Sequence, residues 1–177
     1  MPDADPATTD ARDERPGIVV LDVDGVLADV QHRLHHLERR PKDWAAFFAE
    51  MDDDAPLEEG VALARSHAAE GHRIVYLTGR NEDHRATTRD WMERHGLPAG
   101  RLVMRRADDR RPARVFKPAA LRRIAQDGPV LAVIDDDAAV VEVLRRDGWP
   151  AVLATWMVAD PAGQQSLFEA QEIEGRS

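Results

Sequence analysis

Short, unbroken apolar runs recur along the chain, beginning with Ile18, Val19, Val20 and Leu21. A β-branched run without polar alternation reads as a strand buried on both faces, as in a parallel sheet covered by helices. Similar runs stand at 74–77, 130–134 and 151–154, with a weaker one at 102–104. Between them the spacing becomes helical, over 61–69, 82–95, 118–126 and 138–146, and these stretches stop at or near Gly71, Gly96, Gly128 and Gly148. Glycine just past a last helical turn is a C-terminal cap. Strands alternating with helices predict an α/β fold around a mostly parallel sheet.

Residues 29–59 break that alternation. They carry Trp44, Phe47 and Phe48 at helical spacing and then an acidic turn, Asp52-Asp53-Asp54. This stretch reads as a small helical insertion directly after the first strand, with the aromatic face docking it onto the core. Residues 1–16 are polar and Pro-rich and read as a disordered tail. Residues 160–177 read as a helical or frayed C-terminal tail, which leaves 17–159 as the folded domain.

Composition narrows the chemistry. The 177-residue chain contains no cysteine, which excludes disulfides, thiol catalysis and thiolate metal sites. No signal-peptide pattern or membrane-length apolar run is present, so the expectation is a cytoplasmic protein with no membrane partner. The formal charge of −9 argues against broad duplex nucleic-acid binding. One segment departs from it. Between Arg101 and Lys117 seven basic residues face two acidic ones, a local surplus of five positive charges.

Ligands of parallel sheets bind beyond the carboxyl ends of the strands. There the sequence places Asp22, Asp24 and Gly25 after the first strand, Thr78, Gly79 and Arg80 after the second, and Asp135, Asp136 and Asp137 after the 130–134 strand, with Lys117 opening the helix before it. Carboxylates crowded together need a neutralising cation. Oxygen donors without His or Cys favour a hard ion, and magnesium suits a phosphate substrate. Beside such an ion one carboxylate can attack phosphorus, while another two positions along serves as general acid and then general base.

Asp22-Val23-Asp24-Gly25-Val26-Leu27, Thr78-Gly79-Arg80, Lys117 and Asp135-Asp136 resemble the four motifs of the haloacid dehalogenase superfamily, in its order. The resemblance implies a Rossmann-like parallel five-stranded sheet with helices on both faces and a small cap insertion after strand one. It implies Asp22 as nucleophile and magnesium ligand, and Asp24 as acid/base that also binds the metal through its backbone carbonyl. It further implies Thr78, Gly79 and Lys117 as phosphate-binding, and Asp135 or Asp136 as completing the Mg2+ site. The second Asp of the DxD pair is a mark of its phosphatases. Within the superfamily the chain is most similar to the phosphatase half of polynucleotide kinase-phosphatase, through LTGR, AVIDDDAAVVEVLRRDGW and Arg33 eleven residues after Asp22. Arg33 and Arg80 then become substrate-binding candidates, suited to bidentate phosphate contact. Two features depart from that family. No GxxxxGK[ST] occurs, so this chain has no P-loop kinase half, and Ala113 stands where an acidic residue is common.

The expected activity is a phosphomonoesterase working through an aspartyl-phosphate, on a nucleotide or, preferentially, a nucleic-acid 3′ end. A mononucleotide or other small phosphate is the alternative favoured by the acidic charge and Ala113; a phosphoacceptor signalling module is an alternative of another class. His32, His35 and His36 cluster in the insertion without an HExxH pattern and read as cap-helix residues rather than a zinc site.

Overall fold

In the computed structural model, residues 16–157 are described; both predicted tails, apart from Pro16, lie outside them. The first strand, β1 (Ile18–Leu21), is buried along its whole length. Each of its four side chains contributes about 1.5–3 kcal/mol by leaving water. It is the centre of a five-stranded sheet in the order β5-β4-β1-β6-β7, and every pairing in that sheet is parallel. The other strands are β4 (Arg73–Asn81), β5 (Gly100–Arg105), β6 (Val130–Asp135) and β7 (Ala151–Leu153). The Rossmann-like α/β expectation therefore holds.

Two apolar layers flank the sheet. Val19, Leu21, Ile74 and Tyr76 face a cluster that includes Ala64 of α3 (Glu58–Ala69) and Trp91 of α4 (Arg85–Arg94). Ile18, Val20, Val75 and Leu77 point the other way. They meet Phe116 and Leu121 of α5 (Ala113–Ile124) and Val140 and Leu144 of α6 (Ala138–Arg146). Successive residues of a strand face opposite sides, which is why these strands carry no polar alternation.

The insertion after β1 is more than helical. A short antiparallel ribbon, β2 (Ala28–Asp29) with β3 (Ala55–Pro56), closes its base. Between these strands lie α1 (His35–Glu38) and α2 (Trp44–Ala49). Phe47 is fully buried with Val30, Leu34, Leu37 and Leu57, while Trp44 and Phe48 pack around them. The aromatic face thus builds a small core for the insertion.

Three boundaries differ from the sequence reading. β4 continues through Asn81, because Thr78, Gly79 and Arg80 remain extended and buried instead of starting a loop. α5 begins at Ala113, so Lys117 lies one turn inside it and Pro118 in its interior. Proline normally favours a helix start, and here the buried contacts of Phe116 and Leu121 on one face override that preference. Glu82–His84 is a separate 3-10 turn ahead of α4. No helix among the described residues is long and apolar enough to cross a membrane.

The last Asp of the 135–137 run has a structural task. Asp137 caps α6, accepting from the backbone N–H groups of Ala139 at 2.8 Å and Val140 at 3.3 Å. Asp137→Ala is expected to cost about 1 kcal/mol in urea unfolding, and unchanged stability would remove the cap from this account.

Candidate active site

The acidic residues at the carboxyl edge of the sheet separate into two groups with different electrostatics. Asp22 follows β1 and Asp135 ends β6, and between them Lys117 reaches across from α5. Its ammonium donates to Asp22 Oδ2 at 2.5 Å and Asp135 Oδ2 at 2.6 Å. Asp136 completes the group, so that Asp22, Asp135 and Asp136 each offer a carboxylate oxygen within 4.8 Å of the others. All three are buried, as is Lys117.

One ammonium cannot balance these carboxylates. Burial pushes Asp22 up to about 7 despite Lys117, with Asp135 and Asp24 adding like-charge repulsion. Burial, then Asp135 and Asp22, holds Asp136 well above the ordinary carboxylate range. Burial alone would lower Lys117, but Asp135 and Asp22 outweigh it and raise it. Asp136 Oδ2 is buried without a hydrogen-bond partner. A buried acceptor with no donor, inside an oxygen-only set of surplus negative charge, fits a hard divalent cation.

Gly25 explains how Asp136 comes so close to the first loop. It adopts φ 75°, and a Cβ there would sit 1.9 Å from Asp136 Oδ2. Any side chain would therefore strain the backbone and displace the carboxylate. The turn itself closes on the Val23 carbonyl, which accepts from Leu27 and Ala28 N–H groups at 2.8 and 2.9 Å.

The carboxylate of Asp24 does not join this acidic set. It accepts from Arg80 Nη2 at 2.6 Å and Nε at 3.0 Å, and from Arg33 Nη2 at 2.9 Å. The metal-ligand role inferred for Asp24 rests on its backbone carbonyl, so the turning away of its side chain leaves that role open. Burial would raise this carboxyl, but Arg80 and Arg33 overcome it and hold Asp24 below the ordinary range.

Asp54, which the motifs do not single out, is the fourth member of this second group. It accepts from Arg33 Nε at 2.7 Å, Arg33 Nη2 at 2.8 Å and Arg80 Nη2 at 2.7 Å. His32 Nε2 lies 2.9 Å from it, and its backbone carbonyl accepts from Trp91 Nε1 at 2.7 Å. Two carboxylates and two guanidiniums form a buried, neutral quartet that ties the insertion to β4 and α4. The only sequence signal for Asp54 is its place at the end of an acidic turn before Pro56.

This quartet changes the reading of the two arginines. Their Nε and Nη2 edges face carboxylates. Their Nη1 groups are the least engaged, at 3.4 Å from the Phe47 carbonyl for Arg33 and from the Thr88 hydroxyl for Arg80. Arg33 also lies 4.1 Å from the Phe47 ring centroid. Thr78 is fully buried, and its Oγ1 accepts from the Arg80 backbone N–H at 3.1 Å, which leaves its own proton to donate. Gly79 follows it on β4. His36 pairs with Glu50 at 3.0 Å, away from the acidic set.

The same residues fall within a match to a known family. The family described as the polynucleotide kinase PNKP phosphatase domain matches residues 16–160. The chain belongs to that family. Among solved structures, this PNKP-type phosphatase domain is similar to a chain of the Pnkp1/Rnl/Hen1 RNA repair complex, at 21% identity and TM-score 0.65. That alignment covers 83% of this chain and 45% of the other, so the domain spans about half of that relative's length. It is also similar to the class C acid phosphatase from Bacillus anthracis with tungstate bound, at 14% identity and TM-score 0.64, covering 91% of this chain and 73% of that one. A hydrolase from Streptococcus pneumoniae TIGR4 shares the fold at 13% identity and TM-score 0.55, covering 81% and 95%. No curated protein matches it.

Removing Asp54 would leave two buried guanidiniums facing a single carboxylate. Asp54→Ala is therefore expected to lose about 3–5 kcal/mol in denaturant unfolding. A loss below about 1 kcal/mol would contradict the buried quartet.

Proposed function

We propose that the domain is a magnesium-dependent phosphomonoesterase that forms an aspartyl-phosphate on Asp22, and that its substrate is a polynucleotide 3′-phosphate end. The observation that carries this reading is the juxtaposition of Asp22, Lys117, Asp135 and the partnerless Asp136 carboxylate at one end of the sheet.

Asp22, Asp135 and Asp136 would hold the ion by their side chains, and Asp24 by its backbone carbonyl. When bound, magnesium supplies the charge that offsets repulsion between the Asp22 carboxylate and the incoming phosphate. Asp22 attacks phosphorus, the bond to the leaving oxygen breaks, and that oxygen takes a proton from Asp24. Water then attacks the phosphorus of the aspartyl-phosphate, gives its proton to Asp24, and releases inorganic phosphate with Asp22 restored. The Thr78 hydroxyl, the Gly79 backbone and the Lys117 ammonium hold the phosphoryl oxygens through both steps.

The arginine pair suits Asp24 to its second task, because a carboxylate kept ionised is ready as a base. Its first task needs a proton. A phosphate dianion arriving beside it raises its proton affinity by like-charge repulsion, so the acid form belongs to the substrate complex. In this reading Arg33 and Arg80 position Asp24 and touch substrate only through their less engaged Nη1 groups.

Family membership and the basic stretch from Arg101 to Lys117 support a nucleic-acid end. Ala113 and the acidic net charge favour a second reading, in which the substrate is a mononucleotide or other small phosphate. Phosphate release should be compared among a 3′-phosphorylated oligonucleotide, nucleoside 3′- and 5′-monophosphates and a sugar phosphate. The oligonucleotide is expected to have the highest kcat/KM, and Asp22→Asn to abolish turnover on every substrate while the circular dichroism spectrum is retained. Preference for the sugar phosphate would remove the nucleic-acid assignment; substantial activity of the Asn variant would remove Asp22 as nucleophile.

A further inference from the structure

The basic stretch from Arg101 to Lys117 has no part in the chemistry above apart from Lys117 itself. In the fold it forms one wall of a cleft of about 380 Å3 between the sheet edge at β5 and helix α5. Arg101, Arg106 and Arg111 line it from β5 and the loop that follows, Arg85 from the start of α4, and Arg123 from α5. Glu82 and Asp109 are the only acidic residues in the lining. Five arginines thus line it against two acids, and although Asp108 and Asp127 pair with Arg106 and Arg101 from outside the lining, the cleft keeps a positive surplus in a chain of net charge −9. The floor is apolar, with Leu102, Met104 and Phe116.

Several of these arginines pair with acids at the surface: Arg85 with Glu82, Arg101 with Asp127, Arg106 with Asp108 and Arg111 with Asp109. The first three are exposed pairs, which contribute little and yield to an incoming phosphate, whereas Asp109 is largely covered and holds Arg111 more closely. Arg123 has no carboxylate partner among the described residues.

A second, independent observation lies between the cleft and the catalytic edge. Arg105 is almost fully buried, at 1% exposure, and its Nη2 has no hydrogen-bond partner. It is the only buried guanidinium nitrogen among the described residues in this state. Its Nε donates to the Gly79 carbonyl at 3.3 Å and its Nη1 to the Arg111 carbonyl. Its guanidinium lies 4.8 Å from the ring centroid of Phe116, which lines the cleft. A buried cationic donor without an acceptor is costly unless a ligand supplies one.

We propose that this cleft, together with Arg105, which packs on Phe116 of the lining and donates to the Gly79 carbonyl, binds the sugar-phosphate backbone of a single-stranded polynucleotide whose phosphorylated end lies at Asp22. Arg105 takes the first phosphodiester behind the scissile phosphate, the rim arginines take the next, and a base lies on the apolar floor beside Phe116. Such a combination of cationic rim and apolar stacking surface suits single strands of any sequence. The proposal rests on the polynucleotide-end reading and deepens it by locating the strand.

The test uses the full chain and two probes, p-nitrophenyl phosphate and a 3′-phosphorylated single-stranded oligonucleotide. kcat/KM for each is measured over a range of salt in the wild type, in Arg105→Gln and in the double variant Arg106→Glu/Arg123→Glu, whose exposed positions leave the core untouched. The oligonucleotide-to-aryl ratio is expected to fall about tenfold or more in both variants. Its dependence on salt should become shallower, by about 0.7 in log–log slope for each phosphate that no longer meets a cation. If the wild type prefers the oligonucleotide but the ratio is unmoved in the double variant, the strand lies elsewhere and the proposal fails alone. Equal impairment on both probes in Arg105→Gln would place Arg105 on the transferred phosphate or in the fold, and would likewise overturn its phosphodiester role. A wild type that hydrolyses the aryl phosphate without preferring the oligonucleotide would sink both this proposal and the polynucleotide-end reading.

Discussion

A buried ammonium surrounded by more carboxylates than it can neutralise is the constraint on which the rest of this molecule turns. Lys117 stands between Asp22 and Asp135, with Asp136 alongside and Asp137 one residue further. Ion burial without full compensation is among the most expensive arrangements a fold can contain. The sheet tolerates it because β1, residues 74–77 of β4 and residues 133–134 of β6 are buried and apolar next to the site, and because α5 and α6 pack against the same face of the sheet. The cost is visible in the elevated proton affinities of Asp22 and Asp136. In physical terms the fold builds a demand for positive charge at the point where the proposed aspartyl-phosphate would form.

The insertion solves a different problem. Asp24 would add a further negative charge to that edge, and the cap brings Arg33 and Asp54 to turn it away. The resulting quartet is neutral, so it adds no net charge to the acidic edge. It also couples three elements, since Arg33 and Asp54 come from the insertion, Arg80 from β4 and the Trp91 indole from α4. Two carboxylates two residues apart in sequence thereby acquire opposite proton affinities, Asp22 raised and Asp24 lowered. This is the reverse of an acid beside an ionised nucleophile, and a cation bound at Asp22 and a phosphate beside Asp24 would each act to invert it.

Much of this is legible in the chain. The sheet follows from uninterrupted apolar runs, and the site from polar residues at their ends, because both depend on local pattern. Lys117 is recognisable even though the pattern opens its helix four residues too late; Pro118 suggests a boundary that packing by Phe116 and Leu121 overrides. Asp54 is not legible, since nothing local distinguishes it from Asp52 and Asp53. Only the folded chain shows that it alone of the three is buried among arginines. The partners of Arg33 and Arg80 are likewise unreadable: a guanidinium suits phosphate and carboxylate equally, and three-dimensional placement decides which it meets. In the sequence Arg105 is one member of a charge run, and burial alone sets it apart.

The carboxylates of Asp22, Asp135 and Asp136 are proposed to take up a divalent cation. Calorimetric titration of magnesium into the metal-free protein, repeated in buffers of different ionisation enthalpy, tests it most directly. Asp22, pushed up to about 7, is partly protonated at neutral pH and must release its proton to bind the ion. A single site with net proton release is expected, with affinity that tightens as pH rises through about 7 and no binding in Asp136→Asn. Binding that is pH-independent, or that survives in Asp136→Asn, would contradict it.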